Sequence, residues 1–263
     1  MLPKIDLGPY RVSRLIVGGN PFSGNSHQTP ERSRQMLDWY TCDRIKQTLR
    51  ECEEVGINAA VLRADAHMFR LYHEYRNEGG TIHWIAQIGP EFADYERNID
   101  TAIGYGAMGV YVQGGMTRRF IEEGRMGRIG DLVEHIRKRG AVAGVCAHHP
   151  DELGVVAGAG IDCDFYMACF YDCGSIHDDE GEAFPAADRP RACEFIRETD
   201  VPCLAFKVMA AGRNEPTEAL KYAFDHIKPI DAVVVGVFTK DNPDMVRENA
   251  QRVAQLVGAA QES

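Results

Sequence analysis

The amino-acid sequence predicts an α/β chain folded as one (β/α)8 barrel over residues 1–263. Three observations predict it. Short runs rich in Val, Ile and Ala alternate with longer amphipathic stretches from end to end, and eight such pairs can be placed along the chain. Strands joined by crossover helices pair in parallel and are buried on both faces, so they read as near-continuous apolar runs. Ionisable residues gather where several runs end: Arg63 and Asp65, His148 and His149, and Lys207. The carboxyl ends of the strands are where such a barrel presents its chemistry. An open doubly wound sheet is disfavoured, because the first run ends in Val17-Gly-Gly-Asn-Pro-Phe22 and not in G-x-G-x-x-G.

In chain order, residues 4–11 read as a small hairpin that closes the barrel floor. Strands are expected at 14–19, 59–64, 82–88, 109–113, 141–147, 164–170, 203–208 and 232–237, each short, apolar and bounded by turn residues. Helices are expected at 43–55, 68–77, 95–104, 129–139, 150–159, 189–199, 217–227 and 243–257. In the first of these, Ile45, Leu49, Cys52 and Val55 recur at helical spacing. Asp94, Thr217 and Asn242 suit helix starts. Gly56, Gly79, Gly106, Gly140 and Gly160 stand where helices should stop. The Asp-, Gly- and Pro-rich stretch 172–189 is the longest irregular connection; it follows the sixth strand and is placed to act as a lid over the mouth.

A hydrophobic fraction of 44% and a charged fraction of 26% describe a globular chain. A net charge of −10 argues against general affinity for nucleic acid or an anionic membrane. No apolar run is long enough to span a bilayer. The opening residues lack the apolar core of a secretory signal, so a cytoplasmic protein is expected. Its expected partner is a small-molecule substrate, with homo-oligomerisation left open. Eight cysteines are scattered without a CxxC pair, which suits free, mostly buried thiols. Cys163, Cys169, Cys173 and His177 have the ligand types for zinc, but Cys163 precedes the strand that Cys169 ends.

Arg63 and Asp65 share strand parity and should both point into the barrel. Asp65 reads as a general base or cation ligand, or as one half of a buried pair with Arg63. Parity with Cys146 makes His148 the inward one of the two histidines. It reads as an acid–base group or metal ligand, or as the cap of the helix near Pro150. Lys207 suits imine formation, general base work or anion binding, or an internal ion pair. Arg213 and the turn Thr239-Lys-Asp-Asn-Pro243 suit a phosphate or carboxylate, or a solvated loop. Cys169 ends the sixth strand as a nucleophile, soft ligand or core filler, with Tyr171 two residues on. His27 sits in the first loop. Substrate-binding candidates are Arg63, Gln87, Gln113, Tyr171 and Arg213; the two amides suit a polyhydroxylated molecule. Asp65, His67, His148 and Cys169, with His149 in reserve, offer a divalent-cation set of no recognised spacing.

Four segments carry a resemblance. They are Leu7-Gly-Pro-Tyr-Arg-Val-Ser-Arg-Leu-Ile-Val-Gly-Gly-Asn-Pro-Phe-Ser23, Gly56-Ile-Asn-Ala-Ala60, Ala143-Gly-Val-Cys-Ala-His-His-Pro-Asp-Glu-Leu153, and 232–236 through Val246-Arg-Glu-Asn-Ala250. In this order they resemble the opening, second-strand, fifth-strand and C-terminal phosphate-binding segments of the aldo/keto reductase family. The resemblance implies a barrel that reduces carbonyls with NADPH through an Asp, a Tyr, a Lys and a His. Asp65 stands where the Asp is implied. Arg70 stands for the Tyr, with Tyr72 two residues further; Gln87 stands for the Lys and Gln113 for the His. The proton donor that hydride transfer needs is thus missing from its implied place.

The sequence therefore reads as a barrel enzyme acting on a small polar, carbohydrate-derived or keto-sugar molecule. Acid–base chemistry by Asp65, His148 and Lys207 would drive an isomerisation, elimination or hydrolysis, with divalent-metal help open and NADP less expected. Two other readings stand beside it. One is an NADP-dependent reductase that recruits Tyr72, Lys207 and His148; the other is a non-catalytic barrel that binds a ligand.

Overall fold

A computed structural model describes residues 2–171 and 184–259. The chain enters through an antiparallel hairpin, β1 (Lys4–Leu7) and β2 (Tyr10–Ser13), with Leu7 opposite Tyr10 and Gly8 turning at φ +57°. Eight parallel strands then close into a barrel in chain order. They are β3 (Leu15–Gly18), β4 (Ala59–Arg63), β5 (His83–Gln87), β6 (Ala107–Val112), β7 (Val142–Ala147), β8 (Phe165–Cys169), β9 (Cys203–Phe206) and β10 (Ala232–Gly236). β10 pairs back onto β3, with Gly236 opposite Gly18. Around the barrel run α1 (Pro30–Trp39), α2 (Cys42–Glu54), α3 (Ala66–Asn77), α4 (Tyr95–Gly104), α5 (Gly114–Glu122), α6 (Met126–Lys138), α7 (Pro150–Gly158), α8 (Arg189–Glu198), α9 (Pro216–His226) and α10 (Met245–Ala259).

The expected hairpin and strands are present, and the expected helices are met within three residues at each end. Gly56, Gly79, Gly106, Gly140 and Gly160 all take positive φ just past helix ends. Asp94 caps α4 by accepting the Arg97 N–H at 2.9 Å. α9 is capped by Glu215 and not Thr217, and Asn242 lies ahead of α10, where it accepts the Asp244 N–H at 3.0 Å. Two helices escaped the sequence pattern. α1 buries only Met36, so it carries no apolar stripe. α5 opens on two glycines, yet Gln113 caps it and Met116 and Phe120 bury its face.

Two cores follow from strand alternation. Inside the barrel, Ile16, Val61, Ile85, Met108, Val142 and Leu204 pack on Ile5, Leu7 and Val12 of the hairpin, which is the floor. A Cβ on Gly144 would lie 2.3 Å from the Phe165 ring, so the missing side chain is what lets that ring fill the interior. Burying such a ring contributes about 2–3 kcal/mol. Outside the barrel, Leu62, Trp84, Ala86 and Val110 pack against Met68, Leu71 and Tyr75 of α3 and the other helices. Among the described residues no helix is long and apolar enough to cross a membrane. Of the described cysteines, Cys42 is exposed and the others are buried. Cys173, His177 and residues 172–183 of the expected lid lie outside the described residues.

Candidate functional site

The register places Arg63, Gln87 and Tyr111 side by side where β4, β5 and β6 end. A bulge between β5 and β6 turns both Met108 and Tyr111 inward. Tyr111 donates its hydroxyl to Gln87 Oε1 at 2.9 Å. Burial pushes the Tyr111 phenol well above 10; nearby Cys146 adds to this, and the Arg63 guanidinium opposes it. Arg63 Nε donates to Asp65 Oδ2 at 3.3 Å, and its Nη2 pairs with Glu91. Asp65 lies just past β4 as the cap of α3, where its Oδ1 accepts the Met68 N–H at 2.9 Å. Its carboxylate therefore holds both the helix start and Arg63.

Cys146 faces inward from β7. Burial pushes its thiol up to about 12, against the backbone N–H of Gly114 and the positive charge of Lys207. That charge enters the barrel mouth from the residue that follows β9. Lys207 sits at φ +60°, and Ala210, Ala211 and Gly212 follow at +48°, +53° and +84°. Left-handed backbone costs a residue with a Cβ about 1 kcal/mol or more, and such strain collects at functional sites. The Lys207 Nζ lies 5.6 Å from the Phe184 ring centre. The His148 ring meets Phe206 edge-on at 5.9 Å. It lies 2.9 Å from where a Cβ on Gly114 would stand, so α5 begins with glycine beneath it. The cap of α7 is His149, whose Nδ1 accepts the Asp151 N–H at 3.1 Å; the helix-capping alternative for His148 is thereby taken by its neighbour.

The remaining candidates are more dispersed. Gln113 Oε1 accepts the Met116 N–H at 3.1 Å as the cap of α5. Tyr171 is buried, accepts from Asn214 Nδ2 at 2.7 Å and meets Phe184 edge-on at 5.3 Å. Arg213 is exposed, lies 4.8 Å over Phe184 and donates to the carbonyl of His27 at 3.1 Å. Two expectations need correction. Asp65, His67, His148 and Cys169 do not gather into a cation site, and no set of three or more His, Cys, Asp and Glu side chains does so among the described residues. His67 is exposed on the first turn of α3, whereas Cys169 is buried at the end of β8. Tyr72 cannot serve as a displaced proton donor at the mouth. It is buried against Trp84 in the outer core, donates to the Ile82 carbonyl at 2.8 Å, and burial pushes its phenol up to about 12.

NADP is the cofactor the resemblance implies, with its phosphate at the segment after β10. Here the chain itself covers that turn. Arg32 of α1 pairs with Asp241 and lies 4.5 Å over the Phe238 ring. Trp39 Nε1 donates to Thr239 Oγ1 at 3.1 Å, and Tyr40 donates to the Val237 carbonyl at 2.8 Å while accepting the Thr239 N–H at 3.2 Å. Asn242 Nδ2 donates to Glu248 at 3.1 Å, and Glu248 is in turn paired with Arg252 at 3.2 Å, as Asp241 is with Arg32. This strap takes one face of the turn, while the exposed Lys240 and Arg247 beside it are the cations that would hold a phosphate there.

Tyr111, Glu91, Phe184 and Phe206 belong to the mouth and were not singled out from sequence. Tyr111 carried a usable signal, since it shares parity with Gln113 at a strand end. Glu91 carried none, because only folding brings its loop over Arg63.

No family model matches the sequence, and no curated protein is a significant match. Solved structures do match. A Pseudomonas aeruginosa protein assigned to the aldo-keto reductases is 16% identical, covers 97% of this chain and 94% of its own, and superposes with a TM-score of 0.67. An aldo-keto reductase from Bacillus halodurans, in its holo form, is 14% identical over 96% of this chain and 91% of its own, with a TM-score of 0.62. A glycerol dehydrogenase from Gluconobacter oxydans is 10% identical over 97% and 96%, with a TM-score of 0.61. Together with the closed barrel and its hairpin floor, these matches identify the chain as an aldo/keto reductase-like (β/α)8 barrel in fold.

Proposed function

We propose that the protein is an enzyme that acts on a small polar, carbohydrate-derived or keto-sugar molecule by proton transfer, in an isomerisation, elimination or hydrolysis. The observation that carries this reading is the row of Arg63, Gln87 and Tyr111 at neighbouring strand ends, with Cys146 between Tyr111 and Lys207 and close enough to feel both. Lys207 and His148 are the proton-handling groups. Arg63, Gln87 and the Tyr111 hydroxyl supply the polar wall that orients a hydroxyl or carbonyl. Asp65 positions Arg63, and Phe184 and Phe206 limit water at the reacting atoms.

The test is a screen of keto-sugars and sugar acids against the purified protein, followed by Lys207→Met and His148→Asn. Each substitution is expected to lower kcat by roughly 10²–10⁴-fold, the usual worth of a general acid or base. Turnover indifferent to both refutes the assignment. A titration with NADPH supplies the opposing outcome: saturable fluorescence transfer together with NADPH-dependent carbonyl reduction would replace this reading with a reductase.

A further inference from the structure

Resting on the proposed function, we infer that the substrate carries an oxyanion head group that Arg63 binds, and that Glu91 occupies Arg63 until the substrate displaces it. Arg63 is the inward-parity residue at the tip of β4, above Ala59 and Val61 of the inner core. Its two carboxylate partners are not alike. Asp65 is 27% exposed and pinned by the Met68 N–H, so it fixes the Nε side of the guanidinium. Glu91 is 49% exposed and sits on the loop between β5 and α4, so its hold on Nη2 is exchangeable.

The loop is built for this arrangement. Its base is anchored, because the buried Asn98 accepts the Gly89 N–H at 3.2 Å and donates to the Ala64 carbonyl at 2.7 Å. The Glu91 carboxylate folds back over Gly89, where a Cβ would come within 2.6 Å of Oε2. A small residue at Gly89 thus lets the acid reach Arg63 from a short tether. A planar guanidinium with one fixed and one exchangeable carboxylate is a receptor for an incoming carboxylate or phosphate of the same geometry. Lys207 adds a second positive charge at the mouth, felt by Cys146 beneath it.

Calorimetric titration tests this with gluconate for a carboxylate head, glycerol 2-phosphate for a phosphate head, and sorbitol as the uncharged control. Glu91→Gln is expected to tighten the anion that binds by about fivefold, because the internal competitor is gone. Arg63→Gln is expected to abolish that binding, and Glu91→Gln should not alter the response to sorbitol. The tighter of the two anions names the head group. The inference is overturned if Glu91→Gln leaves anion affinity unchanged, if Arg63→Gln binds like the parent, or if no form binds either anion even at ~10 mM. Glu91 is exposed on a loop, so its variant folds whatever befalls Arg63→Gln. Catalysis lost in Lys207→Met with no response to Glu91→Gln would fell this inference alone. Tightened anion binding with turnover indifferent to Lys207→Met would fell the proposed reaction alone.

Discussion

On the β4–β6 side of the mouth the strand ends carry Arg63, Gln87 and Tyr111, with Tyr111 bonded to Gln87 and Arg63 to Asp65 and Glu91. On the β9–β10–β3 side they carry Phe206, Gly236 and Gly18, and Gly236 is exposed. The loops above that second side are tied by the segment between β3 and α2. Gln28 Nε2 donates to the Ala211 carbonyl at 2.6 Å, Arg213 to that of His27, and Trp39 and Tyr40 hold Thr239. The first side therefore offers oriented polar atoms, and the second offers the small strand-end residues Gly18 and Gly236 beneath a fixed strap. Binding and orientation belong to the first; the strap keeps the mouth in shape while Lys207 enters from its edge.

If that division is right, equal losses of hydrogen bonding on the two sides should affect turnover unequally. Gln87→Leu leaves the buried Tyr111 hydroxyl without its acceptor and removes an amide from the wall. It should cost about 1–3 kcal/mol of stability and lower kcat/KM by roughly 10–100-fold. Tyr40→Phe strips the Val237 carbonyl and the Thr239 N–H of a shared partner, at a similar cost in denaturant unfolding of about 1–3 kcal/mol. Its kcat/KM should stay within about threefold of the parent. Equal kinetic losses in the two variants would erase the distinction between the halves.

Asp65 sharpens the same contrast, because it serves helix and site together. Asn caps a helix about as well as Asp, whereas Ala loses about 1 kcal/mol. Asp65→Asn should therefore keep the unfolding midpoint and Asp65→Ala should lower it. Both should reduce kcat/KM about tenfold, since either leaves Arg63 without its fixed carboxylate. If Asp65→Asn is kinetically silent, the residue is a cap alone.

Legibility in the sequence divides along similar lines. Strands were readable because burial on both faces makes runs such as Ala232–Gly236 continuously apolar. Helix stops were readable because only glycine adopts the terminal left-handed turn without strain, as at Gly56 and Gly140. Parity placed Arg63 inward, and Lys207 was visible as an ion at a strand tip. What could not be read was what depends on loops meeting across the barrel. The pairing of Arg32 with Asp241 joins residues far apart in sequence, and with it the covering of the turn after β10. Glu91 over Arg63 is of the same kind. Asp65, His67, His148 and Cys169 shared ligand chemistry but not a neighbourhood, because His67 belongs to an exposed helix turn and Cys169 to a buried strand end.

Strain on the strapped side predicts a gain. Ala211 holds φ +53° while its carbonyl accepts from Gln28. Ala211→Gly should keep that bond and relieve the left-handed penalty, raising stability by about 0.5–1 kcal/mol in thermal unfolding. A loss of stability would mean that the strap does not hold this backbone in place.

The floor supplies the smallest effect and a control for both sides of the mouth. His83 opens β5 with its ring 5.3 Å from that of Tyr10 in the hairpin. Burial lowers its pKa below 6.5, with the positive charges of Arg76 and Lys4 acting in the same direction. The unfolded chain therefore binds a proton at this ring more readily than the folded one. Its contribution to stability is intact above pH 6.5 and is lost as pH falls from there through the lower, folded value. His83→Gln should remove that part of the decline, so the difference in unfolding midpoint between parent and variant should shift in favour of the variant as the pH drops from about 7 to 5. Turnover at neutral pH should not change, because the hairpin floor lies at the opposite end of the strands from Arg63 and Lys207. A variant whose melting tracks the parent at every pH would place the acid sensitivity elsewhere. A variant that loses activity would tie the floor to the mouth.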